Sequence, residues 1–299
     1  MHRAIIVHGG AGGWKEGNKR MEPALEACRE ATYHGQQLLQ KGASALDAVE
    51  AATRILEDCP VLDAGRGSYP TQVGTVEMDA LIMDGETLNL GAVGAIERVR
   101  NPISLARRIM LDCEHAFLVG RGAEAFAEEV GFPRCDLEDL LTDEHRERLR
   151  RMAAGGGEMI PGEQELLGTV GAAARDAQGN LAAAVSTGGT AYKRPGRIGD
   201  SPLVGSGAYA DNWTAAAVAT GYGEALMKVV ISRRVCEFVA AGLPAQNACH
   251  AAIQVLAQRV AGRGGIIAVD ARGTVGCAYN TAAMPYAYAL DDGPVQSSS

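Results

Sequence analysis

The chain has 299 residues, 47% hydrophobic and 21% charged, which is ordinary globular usage and excludes wholesale disorder. Its 38 glycines follow no G-X-Y period, which excludes collagen, and 5% aromatics fit a base-stacking surface poorly. With 28 basic against 36 acidic side chains, the net charge of −8 lacks the basic surplus that phosphate-binding surfaces use.

The first predicted element is a strand at 4–7, the apolar run Ala4-Ile5-Ile6-Val7, which Gly9-Gly10 ends. Residues 21–40 read as a helix stopped by Gly42. Ser44-Ala45-Leu46-Asp47 has the form of a capping box with Asp in place of Glu, and the helix it opens carries Leu46, Val49 and Leu56 on one face. Strand-like runs lie at 75–83, 91–96, 170–175, 181–186, 215–219, 266–269 and 275–279. Helix candidates lie near 103–110, 123–130, 224–241 and 244–260. Several strands are alanine-rich, which suits sheet faces packed at close range. Too many strands lack an intervening helix for a βαβ series, so the pattern predicts a layered α/β protein with a buried double sheet.

One segment breaks this pattern. Residues 136–167 are first charged (Glu144-His145-Arg146-Glu147-Arg148) and then glycine-rich (Gly155-Gly156-Gly157), the composition expected of a flexible connection. The three terminal serines read as frayed. Seven cysteines (28, 59, 113, 135, 236, 249, 277) contain no CxxC or zinc-type spacing and are expected to be buried thiols. No apolar run approaches the roughly 18 residues of a membrane span, and the N-terminus lacks the apolar core of a signal peptide, so a cytoplasmic location is expected.

Several chemistries fail on spacing. His8-Gly9-Gly10-Ala11-Gly12-Gly13 does not satisfy GxGxxG, because Lys15 occupies the third glycine position. A Walker A loop from Gly12 would need lysine where Asn18 stands. Gly199-Asp200-Ser201-Pro202-Leu203 lacks the last glycine of a nucleophile elbow, and the six histidines have no metalloprotease spacing. His8 reads as a structural hydrogen-bonding group rather than a base. What remains is a polar set within one quarter of the chain: Thr169, Ser186-Thr187-Gly188-Gly189, Arg197-Ile198-Gly199-Asp200 and Thr220-Gly221-Tyr222-Gly223-Glu224. Singly these are a strand-edge threonine, a surface ion pair and glycine turns. Together, hydroxyls, an arginine, a carboxylate and glycine turns supply the parts of a small-molecule amide hydrolase site.

At these residues the chain strongly resembles the plant-type asparaginase and isoaspartyl peptidase family of N-terminal-nucleophile (Ntn) hydrolases. The ordered matches include His8-Gly9-Gly10-Ala11-Gly12, Asp63-Ala64-Gly65-Arg66-Gly67-Ser68, Val76-Glu77-Met78-Asp79-Ala80, Asn101-Pro102-Ile103 and Gly168-Thr169-Val170-Gly171. They continue through Ser186-Thr187-Gly188-Gly189, Gly196-Arg197-Ile198-Gly199-Asp200-Ser201-Pro202-Leu203 and Thr220-Gly221-Tyr222-Gly223-Glu224. Only 136–167 and the last dozen residues fall outside the match.

The resemblance implies a single domain with a four-layer αββα Ntn-hydrolase fold, made as a precursor that cuts itself between Gly168 and Thr169. The products would be an α chain of 1–168 and a β chain of 169–299. Glycine before the cut would let strain be held there. The Thr169 hydroxyl would then be the nucleophile and its freed α-amine the base, since such an amine titrates near 7.7–8.0. Thr187 would hydrogen-bond the nucleophile, and Thr220 with the Gly221 N–H would form the oxyanion hole. Arg197 would take the substrate α-carboxylate and Asp200 its α-ammonium, with Gly221, Gly223 and Asp63 completing the binding site. Asparagine and β-aspartyl dipeptides both satisfy that arrangement. The resemblance also implies a homodimer of cut αβ units and no catalytic cofactor. It adds a structural sodium ion on backbone carbonyls around Leu56, Glu57, Cys59, Leu62, Ala64 and Arg66.

Two positions depart from the family pattern. Asp63 stands where relatives commonly carry Asn, and its charge could repel the substrate carboxylate or change amine basicity unless the group is protonated. Tyr222 stands where His is common, with an expected effect on pocket shape. Two other readings compete. One is a glycosylasparaginase-like amidase, which Gly168, in place of an Asp before the nucleophile, speaks against. The other is a non-catalytic relative, which Asp63 alone supports.

Overall fold

The computed structural model describes residues 2–14, 17–153 and 168–299. In chain order the elements are β1 (Ala4–His8), α1 (Met21–Gln40), α2 (Ala45–Asp58), β2 (Met78–Asp84), β3 (Leu90–Ile96), α3 (Pro102–Asp112) and β4 (Phe117–Val119). Then come α4 (Gly120–Glu129), α5 (Leu137–Leu140), α6 (Asp143–Ala153), β5 (Val170–Arg175), β6 (Leu181–Thr187), β7 (Ala208–Ala210) and β8 (Ala215–Gly221). The last are α7 (Gly223–Val229), α8 (Ile231–Ala240), α9 (Ala245–Val260), β9 (Gly264–Asp270), β10 (Val275–Tyr279), β11 (Tyr286–Leu290) and β12 (Gln296–Ser298).

The capping box at α2 forms as its sequence demands. The Ser44 hydroxyl accepts the Asp47 N–H at 3.1 Å, and the Asp47 carboxylate accepts the Ser44 N–H at 3.3 Å, a cap worth about 1 kcal/mol. Val49 and Leu56 are fully buried, while Leu46 sits half-buried at the margin.

The strands form two sheets. The larger runs β12-β11-β1-β5-β6-β2-β3-β4 and the smaller β10-β9-β8-β7. Ile6, Leu81, Ala173 and Val185 of the larger sheet pack on Ala216, Val218, Ile267 and Val269 of the smaller. The larger sheet turns its other face, with Ile5, Ile82 and Ala172, to α1 through α4, and the smaller turns Ala217, Ala219 and Ile266 to α7 through α9. The order of layers is therefore helix, sheet, sheet, helix, with the buried double sheet expected from strands that lack an intervening helix. Strands buried on both faces have no reason to alternate apolar and polar residues. Alanine at Ala172, Ala173, Ala174, Ala182, Ala183 and Ala184 lets both layers approach closely. All seven cysteines are free thiols, three buried and four half-buried.

Three expectations are corrected. The flexible connection at 136–167 is helical in its first part, α5 and α6. Leu140, Leu141 and His145 are buried, with His145 against Tyr69, so packing overrides the charged composition; residues 154–167 lie outside the described residues. Two of the three terminal serines are not frayed: Ser297 and Ser298 pair with Ala287 and Tyr286, and the Arg29 guanidinium donates to the Ser297 hydroxyl at 3.0 Å. The helix expected over 224–241 is broken at Val230, whose φ of +50° and ψ of +53° are left-handed. Such a conformation costs a β-branched residue about 1–3 kcal/mol. The break lets the start of α8 seize the 205–207 turn: the Arg233 N–H donates to the Gly205 carbonyl at 2.8 Å and the Ser232 hydroxyl to the Ser206 carbonyl at 2.8 Å.

Candidate active site

The residues singled out in the sequence converge where the two sheets end together. Thr169 immediately precedes β5, an interior strand held by β1 on one side and β6 on the other, so its position is set by two ladders. Thr187 is the last residue of β6, and Thr220 and Gly221 are the last two of β8 on the facing sheet. The Thr169 hydroxyl, nearly buried, donates to the Thr187 hydroxyl oxygen at 3.2 Å, and that oxygen also accepts the Gly189 N–H at 2.9 Å. Both lone pairs on Thr187 therefore point at chosen donors. The Thr220 oxygen accepts the Ala11 N–H at 3.1 Å, which leaves its own O–H to donate elsewhere. Gly221 needs to be glycine: its φ is +145°, and a Cβ would stand 2.5 Å from the Gly264 Cα and 2.6 Å from the Arg263 carbonyl.

Thr169, Thr187, Arg197, Asp200, Gly221 and Gly223 line one cleft. Arg197 is held by a carboxylate to which the sequence assigns no role: its Nε and Nη2 donate to the two oxygens of Glu224 at 3.0 and 2.9 Å. This bidentate geometry fixes the plane of the guanidinium and holds the Glu224 carboxyl below its usual range. Arg197 is thus not paired with Asp200, the surface ion pair that the bare residues suggest. Asp200 is buried in the same cleft with Oδ2 unpartnered among the described residues, and burial pushes its pKa up to about 7 against the pull of Arg197. Ser201 also lines the cleft, and Lys193 lies behind its Gly189; both are buried, each with a polar atom lacking a hydrogen-bond partner among the described residues. Neither is legible as a site residue, because only the turn after β6 brings them in.

Asp63 lies under Gly168 and Gly188. Its backbone carbonyl accepts the Gly188 N–H at 2.9 Å, and its Oδ1 accepts the Tyr69 N–H at 3.0 Å, while Oδ2 is buried without a partner among the described residues. Burial lifts its pKa to about 7; Lys193, Arg20 and Arg197 pull the other way and lose. Gly168 is required here for space. Its φ is not left-handed, but a Cβ would stand 2.5 Å from that of Asp63. With Gly168 in place the cleft retains only about 10 Å³, room for a water and not for an amino acid.

His8 is fully buried opposite Gly171. Burial drives its pKa to about 3, outweighing the nearby Thr169 backbone, so the ring is neutral. The ring interacts with the Thr169 backbone, outside ordinary hydrogen-bond geometry.

In the loop after α2, the carbonyls of Leu56, Glu57 and Cys59 accept the N–H groups of Cys59, Arg66 and Leu62. Those of Leu62, Ala64 and Arg66 accept no backbone N–H among the described residues. Among the described residues no group of three His, Cys, Asp or Glu side chains could hold a metal ion, and no helix is long and apolar enough to cross a membrane.

The model of the asparaginase family matches residues 1–296. The plant-type L-asparaginase of Pyrococcus abyssi is 46% identical over 299 aligned residues, covering 95% of each chain. The isoaspartyl peptidase/L-asparaginase of Bos taurus is 42% identical across 97% of this chain and 94% of its own. That of Danio rerio is 41% identical across 95% and 91%. The chain belongs to the asparaginase family.

Proposed function

We propose that the chain hydrolyses the side-chain amide of L-asparagine and the isopeptide bond of β-aspartyl peptides, with Thr169 as nucleophile after a cut between Gly168 and Thr169. The observation that carries this reading is the buried Thr169 hydroxyl, 3.2 Å from Thr187 in the cleft that also holds Arg197 and Asp200. Joined to Gly168, Thr169 has no amine to act as base, and the cleft has no room for substrate. Release of residue 168 would cure both defects at once. The names of the relatives and the helix–sheet–sheet–helix order support the Ntn-hydrolase fold as its frame.

In this mechanism the Thr169 oxygen attacks the β-carbonyl carbon and its proton passes to the Thr169 amine. The Thr220 hydroxyl and the Gly221 N–H take the oxyanion, a contact whose removal costs about 2.7–4 kcal/mol in a well-studied protease. Arg197, its plane fixed by Glu224, takes the substrate α-carboxylate, and Asp200 takes the α-ammonium. Ammonia or an amine leaves with the proton, and water hydrolyses the β-aspartyl ester to return Thr169. The carbonyls of Leu62, Ala64 and Arg66, with those of Leu56, Glu57 and Cys59, offer neutral oxygens suited to a sodium ion. That ion would stiffen the loop that carries Asp63 and would take no part in bond making.

The test is an intact-mass time course of the wild type and Thr169→Ala, with hydrolysis of asparagine and β-Asp-Leu assayed in parallel. Two fragments with Thr169 newly N-terminal, and turnover, are expected in the wild type only. An uncut, inactive wild type would overturn the reading and favour the non-catalytic relative. The family resemblance also pairs cut units as homodimers, which sedimentation velocity checks.

A further inference from the structure

Arg197 and Asp200 lie in the connection between β6 and β7, which contains no helix or strand. Two buried carboxylates at the start of β2 grip that connection. The Glu77 Oε2 accepts the Gly196 N–H at 2.8 Å, and the Asp79 Oδ2 accepts the Gly199 N–H at 3.5 Å. The first bond falls on the residue before Arg197 and the second on the residue before Asp200. Asp79 is itself fixed from two sides. It stands opposite Thr187 in the β2–β6 ladder, and its Oδ1 accepts the Ala95 N–H at 2.8 Å. Ala95 belongs to a bulge against β2, where its φ is +48°. Gly94, beside it, leaves room for the loop: a Cβ there would stand 2.7 Å from the Ile198 Cδ1. The Asp79 charge also adds to the burial that raises the Asp200 pKa, which sets it near that group. No step of the mechanism above uses Glu77 or Asp79.

We propose that Glu77 and Asp79 are positioning residues that set the separation of Arg197 and Asp200, and with it the fit of the substrate's α-carboxylate and α-ammonium. The inference rests on the proposed hydrolase reading and adds the parts that aim its two binding groups. Glu224 fixes the guanidinium plane from α7, whereas Glu77 and Asp79 fix the backbone beneath it from β2. A two-point contact tolerates little error, and a displacement of about 1 Å can cost about a hundredfold. The role of Glu77 lies in reach rather than charge, because an amide oxygen can accept the Gly196 N–H from the same place.

The experiment compares Glu77→Gln, which keeps the reach and drops the charge, with Glu77→Asp, which keeps the charge and shortens the reach. Steady-state kinetics with asparagine are measured on cut protein, beside the inhibition constant of L-aspartate, which carries both α groups. Glu77→Asp should raise KM and the inhibition constant together by about fivefold or more, with kcat within about twofold. Glu77→Gln should stay within about twofold of the wild type in all three. Asp79→Asn has one acceptor for two N–H groups and should raise KM as Glu77→Asp does. Retained kcat shows that a variant is folded and processed; should Asp79→Asn fail to fold, the Glu77 pair decides alone. Wild-type constants in Glu77→Asp or in folded Asp79→Asn overturn the clamp. So does a defect in Glu77→Gln that Glu77→Asp lacks, or a loss of kcat at unchanged KM. In each of these cases the hydrolase reading stands. A cut wild type that hydrolyses neither asparagine nor β-Asp-Leu overturns both.

Discussion

Asp63 occupies the space that any side chain on Gly168 would need: a Cβ built on the glycine stands 2.5 Å from the Cβ of the aspartate. The residue before the proposed cut is therefore pinned against a buried carboxyl group, and the contact bears on both processing and stability.

Gly168→Ala should process at least tenfold more slowly than the wild type, because the overpacked contact, costing about 1–3 kcal/mol, must push the 168–169 peptide from its seat. The fraction of two-chain protein against time, read by denaturing gel, checks this. Cutting at the wild-type rate would show that the seat is irrelevant to the cut.

Asp63 also predicts a pH dependence. Its folded pKa, about 7, lies above the ordinary 3.8 because burial penalises the charge despite Lys193, Arg20 and Arg197. A raised acid binds more protons folded than unfolded between those values, so its contribution is most favourable below pH 4 and is lost as pH rises through about 7. Asp63→Asn should therefore gain Tm relative to the wild type by about 2–4 °C per kcal/mol recovered, more at pH 8, where the whole penalty acts, than at pH 5, where only part of it does. Thermal melts at both values decide it; an equal difference at the two would mean the charge carries no penalty.

Arg197→Ala should raise KM for asparagine about 10- to 100-fold, the range of one charge-assisted hydrogen-bonded contact, with cutting at Thr169 near normal. Glu224→Gln keeps the arginine and loosens its plane, so a smaller rise in KM is expected. Steady-state kinetics on fully cut protein measures both. A kcat defect without a KM change in Arg197→Ala would move the residue from binding to chemistry.

Gly221→Ala should lose both stability and activity. The substitution forces a Cβ against Gly264 and Arg263 at a φ of +145°, and strain there costs about 1–3 kcal/mol. A melt of the uncut Thr169→Ala background, with and without the second change, isolates the stability effect from catalysis.

Much of this is legible in the sequence, and the rest has physical reasons for being hidden. The α2 cap is local, written in Ser44 and Asp47, and the succession of strands without intervening helices announces two packed sheets. The break at Val230 carries no Gly or Pro to mark it; it is made by the hold of Ser232 and Arg233 on the 205–207 turn. The strand at Gln296–Ser298 has polar residues only, and its pairing comes wholly from β11. Within the site, Thr169, Thr187, Arg197 and Asp200 stand in motifs. The clamp of Glu224 on Arg197 joins residues 27 apart, and the burial of Lys193 depends on a turn, so neither has a local signature.

The strand order of the large sheet has a consequence for a chain severed before Thr169. Strands from the two pieces alternate in blocks: β12 and β11, then β1, then β5 and β6, then β2, β3 and β4. The first piece contributes β1 between two strands of the second, and the second contributes β5 and β6 between strands of the first. The halves are interlocked like fingers, with three seams of backbone hydrogen bonds, β11 to β1, β1 to β5 and β6 to β2, running across the join. They cannot part without dismantling the sheet, so separation of the pieces is the same event as global unfolding. Two separately expressed pieces would have to assemble by folding around each other.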